Sequence, residues 1–295
     1  MTEPPGGPPA EELLEIAIGA ARRAGRLLVD RRPDDLRVAE TKTSPTDVVT
    51  EMDTAAEQLI VEAVQGLRPD DAVLGEEGGG RAGQNAGQSA VRWIVDPIDG
   101  TVNYLYGLPG WAVSIAAEVG DTVTVGVVHV PGPGPGQGEL FTAVRGRGAR
   151  RNGLPIRCNE GVELAQALVA TGFSYRAELR ARQAALLRGV LPRVRDIRRV
   201  GSAASDLCMV ACGRVDAYYE SGLHRWDVAA GALIAAEAGA RVGGIGGRDS
   251  GGGVSAAPDV SDGADPAEAT LVAAGPGVFG PLQDLLLSAA AGWAQ

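Results

Sequence analysis

The residues best suited to chemistry lie between Trp93 and Asn103, in the run Trp-Ile-Val-Asp-Pro-Ile-Asp-Gly-Thr-Val-Asn. Asp96 and Asp99 stand three residues apart, behind an apolar stretch, Trp93 to Val95, of the kind that forms a buried strand. Pro97 fixes φ and removes a donor, so the spacing predicts a stiff turn between the two acids rather than a continued strand. Such a turn aims both carboxylates and the Ile98 carbonyl at one point. A helix beginning at Gly100 and Thr101 would turn its unpaired N–H groups and positive dipole end toward the same point. Oxygen ligands beside an anion cradle suggest Mg²⁺ holding a phosphate. Taken alone, the same residues also describe an ordinary Asp-Pro and Asp-Gly turn after a strand.

Other acids fall at element ends. Ala72-Val73-Leu74 reads as a short strand that closes on Gly75-Glu76-Glu77-Gly78-Gly79, repeating the layout around Asp96. Trp226-Asp227 opens a long apolar helix to Ala238, with Gly239 as its stop signal. Asp47 and Asp53 flank the start of a helix, where Asp is also well suited to capping. Gathering Glu76, Asp96, Asp99 and Asp227 would be costly unless a cation neutralised them. Hard oxygen ligands with room for water favour Mg²⁺ over Zn²⁺. Two such ions about 3.5–4 Å apart can activate water and stabilise a phosphate leaving oxygen together.

Other chemistries find little material. Of the two histidines, His129 lies in a hairpin strand and reads as structural, while His224, just before Trp226, could approach a site. No Gly-x-x-x-x-Gly-Lys phosphate loop is present, which weakens nucleotide readings. The odd set of Cys158, Cys208 and Cys212 indicates neither a disulfide framework nor a zinc site, and Cys208 and Cys212 suit one helix face. A formal net charge of -10 argues against a nucleic-acid surface. The start lacks a basic region followed by an apolar one, and no later run approaches a membrane span, so the chain reads as cytoplasmic with no membrane partner.

The elements that must position these acids follow from periodicity. A chain of 295 residues can hold one large domain or two packed ones. Residues 1–10 read as a disordered tail by composition. Leu13, Ala17, Ala20, Ala21, Ala24 and Leu28 predict an amphipathic helix from Glu11 to about Arg32, ended by Pro33. A second helix carries Ala56, Leu59, Ile60, Ala63, Val64 and Leu67 on one face. Residues 80–90 read as a flexible surface loop. Ala112 to Glu118 and Thr122 to Val130 form a hairpin around Gly120-Asp121. Residues 131–138 read as a loop that cannot join a sheet ladder, and Glu139 to Val144 as a further strand. Beyond Asn152-Gly153, strands at 168–171, 197–200 and 215–219 alternate with helices at 177–191 and 203–212, which is an α/β pattern. Gly243 to Pro266 reads as mobile; Leu271 to Ala274 and a helix from about Phe279 complete the chain.

Trp93-x-x-Asp-Pro-Ile-Asp-Gly-Thr-x-Asn103, Gly75-Glu-Glu77, Thr46-Asp-x-Val-Thr-x-x-Asp53 and Trp226-Asp-x-Ala-Ala230, in this order and spacing, resemble the inositol monophosphatase family. Gly201-Ser-Ala-Ala204 and Asp216-Ala-Tyr-Tyr-Glu220 resemble it too, and the likeness is to actinobacterial inositol-1-monophosphatases of the SuhB type. It implies the layered α-β-α-β-α sandwich of inositol monophosphatases and sugar phosphatases. In the α/β class, that sandwich comprises an α+β half (11–155) and an α/β half (156–295), with the site between them.

The resemblance also implies residue roles. Glu76, Asp96 and the Ile98 carbonyl would hold one Mg²⁺, and Asp96, Asp99 and Asp227 a second, with a third, weaker ion sharing Glu76. Thr101, oriented by Asp53, would position the attacking water, with Lys42 and Asp47 behind the ligands or on a mobile loop. N–H groups of Gly100 and Thr101 would hold phosphate. Asp99, Glu220 and the backbone near Ala203 and Ala204 would meet the alcohol part. Family members commonly form homodimers and are inhibited by Li⁺.

The resulting reading is a Mg²⁺-dependent phosphomonoesterase that hydrolyses inositol 1-phosphate. Fructose 1,6-bisphosphate, histidinol phosphate and 3′-phosphoadenosine 5′-phosphate are alternative substrates for the same chemistry. A role as a regulatory partner of the transcription machinery is an alternative of another class.

Overall fold

The structure is a computed structural model, described for residues 8–42, 48–85, 87, 89–132, 138–245 and 270–291. Helix α1 (Ala10–Asp30) buries Leu13, Ala17, Ala20, Ala24 and Leu28 along one stripe, and α2 (Glu51–Gln65) buries Met52, Ala56, Ile60 and Val64. Between them β1 (Glu40–Thr41) and β2 (Val48–Val49) pair as a two-stranded ladder. A larger sheet follows, built from β3 (Ala72–Gly75), β4 (Gly79–Arg81), β5 (Val91–Asp99), β6 (Ala112–Val119), β7 (Thr122–Pro131), β8 (Gly138–Val144), β9 (Ala149–Arg151) and β10 (Leu154–Pro155). Its spatial order is β10-β9-β8-β7-β6-β5-β3-β4. Only the β3–β5 pair is parallel.

The short helix α3 (Thr101–Leu105) leaves the end of β5. The second sheet contains β11 (Leu168–Thr171), β12 (Asp196–Arg198), β13 (Ala217–Ser221), β14 (Arg241–Gly244) and β15 (Thr270–Ala274), in the order β12-β11-β13-β15-β14. Strand β11 is parallel to both its neighbours, whereas β15 is antiparallel to both of its own. The remaining helices are α4 (Ala177–Val190), α5 (Ala203–Ala211), α6 (Arg225–Glu237) and α7 (Pro276–Ala291).

Period-two alternation sorts the strand residues into three cores. Trp93, Val95, Ile115 and Val127 face α1 and α2. Ile94, Ala116, Val128 and Phe141 face the opposite way, onto α5 and α6, which also cover Ala170, Tyr218 and Ala273 of the second sheet. Val169, Tyr219, Val272 and Ala274 pack with α4 and α7 on the far side. The layers therefore run α-β-α-β-α. Every residue of α6 from Val228 to Ala235 is buried, as expected for a helix that is apolar all round and lies between two sheets.

Five expectations are corrected. Strand β5 does not turn after Asp96. It continues through Pro97 to Asp99 and pairs Asp96 with Ser114 and Asp99 with Ala112, so one extra residue is taken up as a bulge. Within the expected loop 80–90, Gly80 and Arg81 belong to β4, which pairs antiparallel with the otherwise open edge of β3; residues 86 and 88 lie outside the described residues. Pro131 and Gly138 close the β7–β8 ladder as a pair, while 133–137 lie outside the described residues. Gly243 and Gly244 belong to β14 and pair with β15, with 246–269 outside the described residues. The last helix starts at Pro276, three residues before the expected position.

Candidate active site

The site begins where the parallel strands β3 and β5 end together. Gly75 pairs with Val95, and the N–H of Glu76 donates to the Val95 carbonyl at 3.2 Å, which sets Glu76 beside Asp96. The bulge then presents three successive groups: Asp96, 1% exposed, Ile98 and Asp99, 8% exposed. The Ile98 N–H donates to Asp96 Oδ1 at 3.0 Å, so the bulge is tied by the side chain that it displays. Gly100 follows at φ 96° and caps α3, and a Cβ there would stand 3.0 Å from the carbonyl oxygens of both Gly110 and Gly201. Only glycine satisfies both the left-handed backbone and that close approach.

Asp99 reaches across to the second half of the chain. Its Oδ2 accepts from Ser202 Oγ at 2.8 Å and from the Ala204 N–H at 2.6 Å. Ser202 also caps α5 by accepting from the Ser205 N–H at 3.2 Å. Asn103 supports the same junction, donating through Nδ2 to the carbonyls of Gly110 at 2.7 Å and Val200 at 2.8 Å. Asp227 lies in the first turn of α6, and its Oδ2 accepts from the His224 N–H at 2.6 Å. The start of α6 is held by Ser114, which donates to the Trp226 carbonyl at 3.2 Å, and by Arg225, whose guanidinium pairs with buried Glu118, as does that of Arg92.

Burial pushes the carboxyl of Asp96 well above the ordinary range, with Glu76, Asp99 and Asp227 adding repulsion. Burial does the same at Asp227, reinforced by Asp99 and Glu76. Asp99 is pushed up to about 7 by burial in spite of its donors at Ala204 and Ser202. Glu77 is also raised to about 7, by burial and by Glu76. Among the described residues one cation is bonded to this group: Lys42 Nζ donates to Glu76 Oε1 at 2.7 Å and Glu77 Oε1 at 2.9 Å. Burial opposes the Lys42 charge, but the two glutamates outweigh it and raise its pKa above that of an ordinary lysine. Among the described residues, no three His, Cys, Asp or Glu side chains form a ready-made metal cage. The donor set nevertheless suits a hard divalent cation: carboxylate oxygens and one carbonyl, with mutual repulsion that such a cation would relieve.

Behind these acids, Thr101 Oγ1 lies 3.0 Å from the Ile98 carbonyl and 3.2 Å from Asp53 Oδ1. Asp53 is fully buried, and its other oxygen accepts from the N–H and hydroxyl of Thr50 at 2.8 and 2.5 Å. Asp53 therefore combines the capping role suited to its position with a direct bond to Thr101. Burial lifts its pKa to about 6.

On the second sheet Glu220 leans against Gly172 and accepts from the Tyr218 hydroxyl at 2.7 Å. Burial pushes its carboxyl up to about 7 in spite of that bond. Asp206 on α5 is raised well above the ordinary range by burial, then by Glu220 and Asp99.

Most of the residues singled out in the sequence thus meet around one edge. The N–H of Ala204 is already engaged by Asp99, and Asp47 lies outside the described residues. His129 faces the Ala21 carbonyl, while His224 stacks on Trp226 and serves Asp227 through its backbone. Ser202, Asn103 and Tyr218 lay within the quoted motifs without a role of their own, and Glu57 was not singled out. Ser202 carried a local signal, a serine directly before an apolar helix; Tyr218 lies two residues from the Glu220 that it serves, whereas Glu57 and the Asn103–Val200 bond act across the fold.

The model of the Inositol monophosphatase family matches residues 10–282. An inositol-1-monophosphatase SuhB from Mycobacterium tuberculosis is 50% identical over 226 residues, which cover 75% of this chain and 77% of that protein. A Nus factor SuhB from Pasteurella multocida is 43% identical over 233 residues, covering 78% and 84%. Among solved structures, the extragenic suppressor protein suhB from Bartonella henselae superposes with a TM-score of 0.79 at 33% identity, covering 93% of this chain and 98% of that one.

Proposed function

The chain belongs to the inositol monophosphatase family, a family of phosphatases, and on that premise we propose that it hydrolyses inositol 1-phosphate to inositol and phosphate with Mg²⁺ as cofactor. The observation that supports this reading best is the meeting of Glu76, Asp96, Asp99 and Asp227, from three separate places in the chain, beside the Thr101–Asp53 pair. Glu76, Asp96 and the Ile98 carbonyl would hold one ion and Asp96, Asp99 and Asp227 a second, with a weaker third at Glu76. Mg²⁺ bound there would polarise the phosphate and acidify water.

The chain's own residues do the rest. Donating to Asp53 Oδ1 in place of the nearer Ile98 carbonyl, which would serve the cation, Thr101 would keep an oxygen lone pair for one hydrogen of the attacking water. Water oxygen attacks phosphorus as the P–O ester bond breaks, and the leaving alkoxide gains a proton. Asp53 draws on the water's proton through Thr101, the role of a positioned base. The N–H groups of Gly100 and Thr101 would hold the phosphate. Glu220, fixed by Tyr218, would accept hydrogen bonds from alcohol hydroxyls together with Asp99. The halves 11–155 and 156–295 would act as subdomains that share the site.

With this reading go a homodimer, inhibition by Li⁺ at the acid cluster, a cytoplasmic setting, and no nucleic-acid or membrane partner. Among the described residues no helix is long and apolar enough to cross a membrane. The Nus factor name of the Pasteurella relative favours a second reading, as a regulatory partner of the transcription machinery.

Phosphate release with and without Mg²⁺ from inositol 1-phosphate, fructose 1,6-bisphosphate, histidinol phosphate and 3′-phosphoadenosine 5′-phosphate tests the proposal, with Asp96→Asn as control. Preference for the first ester, abolished in the control, supports it. Preference for another ester moves the substrate assignment, and no release from any of them overturns the catalytic reading.

A further inference from the structure

Glu57 takes no part in the reaction as set out above, yet it is a carboxylate only 1% exposed, one turn after Asp53 on α2. Its two oxygens accept the two backbone N–H groups that follow Glu76. Oε2 accepts from Glu77 N at 2.8 Å and Oε1 from Gly78 N at 2.7 Å. Two glycines permit the approach: a Cβ on Gly75 would stand 2.3 Å from Oε2, and one on Gly78 2.5 Å from Oε1. Arg81 on β4 stands 3.6 Å from Oε1 on the outer side. A charged acceptor bound to two successive peptides orients both peptide planes more firmly than a neutral one would. The three residues between β3 and β4, Glu76 to Gly78, are therefore fixed from beneath by a side chain whose hydrogen bonds go to this turn.

We propose that Glu57 is the positioning residue for Glu76: by holding the N–H groups of Glu77 and Gly78, it aims the Glu76 carboxylate at Asp96 and sets how tightly the acid cluster takes a divalent cation. The inference rests on the reading that this cluster binds Mg²⁺. It also gives Gly75 and Gly78 a purpose, since both leave room for the Glu57 carboxylate. Because α2 carries Asp53 as well, one helix keeps the partner of Thr101 and the turn bearing Glu76 in register.

The test compares the full chain with Glu57→Gln, which keeps the size but offers one acceptor oxygen, and with Gly78→Ala, whose methyl group would displace Glu57 Oε1. Two readouts are followed: the Mg²⁺ concentration giving half-maximal phosphate release from saturating inositol 1-phosphate, and the Mg²⁺ dependence of Tm. Both variants are expected to need about tenfold more Mg²⁺ in both readouts, with KM for the ester unchanged at saturating Mg²⁺. The double variant should shift by no more than either single one. A lowered cation-free Tm with unchanged Mg²⁺ dependence would make Glu57 a part of the fold alone and overturn the inference, leaving the functional reading intact. Absence of any Mg²⁺ response in the parent chain would overturn both together.

Discussion

Thr101 and Asp53 lie 48 positions apart in sequence, yet their side chains meet at 3.2 Å, and the Asp53 oxygen not facing Thr101 is held by Thr50. Asp53 thus has one free duty, to orient the Thr101 hydroxyl. Thr101→Ala is expected to lower kcat by about 10²–10⁴-fold, the usual weight of positioned proton transfer, while KM for inositol 1-phosphate changes little. Thr101→Ser, which keeps the hydroxyl, should retain most of the rate. Steady-state kinetics on both variants check this, and a fully active Thr101→Ala would remove Thr101 from the reaction.

The same pair sets a pH limb. Burial raises Asp53 to about 6, so the carboxylate that accepts from Thr101 is present above that pH and lost below it. In the protonated form the bond can reverse, and Thr101 no longer offers its lone pair to water. The kcat is expected to fall on the acid side, with an apparent pKa at or below 6 because a bound cation favours the ionised form. Asp53→Asn should be slow at all pH values and lack this limb. A parent profile flat down to pH 4 would refute the assignment.

Asp96 carries opposite consequences for stability and activity. Its carboxyl is raised by burial and by three neighbouring acids, so without a cation the charged cluster opposes folding. Asp96→Asn is expected to abolish Mg²⁺-dependent phosphate release and the Mg²⁺-dependent rise in Tm, yet to raise Tm in chelator at pH 8. Thermal unfolding with Mg²⁺ and with chelator measures both arms. A variant that keeps the parent's Mg²⁺ response would show that the cation binds elsewhere.

Asp206 makes a separate pH prediction. It is 1% exposed, and neither oxygen has a hydrogen-bond partner among the described residues. Burial raises its carboxyl well above the ordinary range, so the folded chain holds the proton more firmly than the unfolded one, whose pKa is about 3.9. The stability from this group is full below about pH 4 and is lost as pH rises toward the folded value. Asp206→Asn should therefore gain Tm over the parent at pH 8 but not at pH 4, by about 2–4 °C for each kcal/mol relieved. Equal shifts at both pH values would contradict this account.

Much of the fold was legible because it rests on local rules. Helical spacing located α1 and α2, alternation around Gly120-Asp121 located the β6–β7 hairpin, and the apolar run after Trp226-Asp227 marked a long helix. The errors arose where a partner strand overrode local preference. Asp-Pro signals a turn, but β6 runs alongside β5 and holds it in the sheet as far as Asp99, absorbing Pro97 in the bulge. Gly79-Gly80-Arg81 has poor strand propensity, yet it pairs with the open edge of β3.

By itself the sequence determined the kinds of groups available: acids at strand and helix ends, glycines where a side chain would not fit, and few histidines. Their types and order in the chain carried the family resemblance. Only the tertiary structure decided which of them meet. Asp99 is held by Ser202 and Ala204 more than a hundred positions away, and Glu57 reaches the turn after Glu76 because α2 packs against the sheet beside it. Spacing along a chain constrains only near neighbours. The close approach of carboxylates that repel one another is set by the packing of sheets and helices, whose burial free energy outweighs that repulsion and can only be gathered once the whole core has formed.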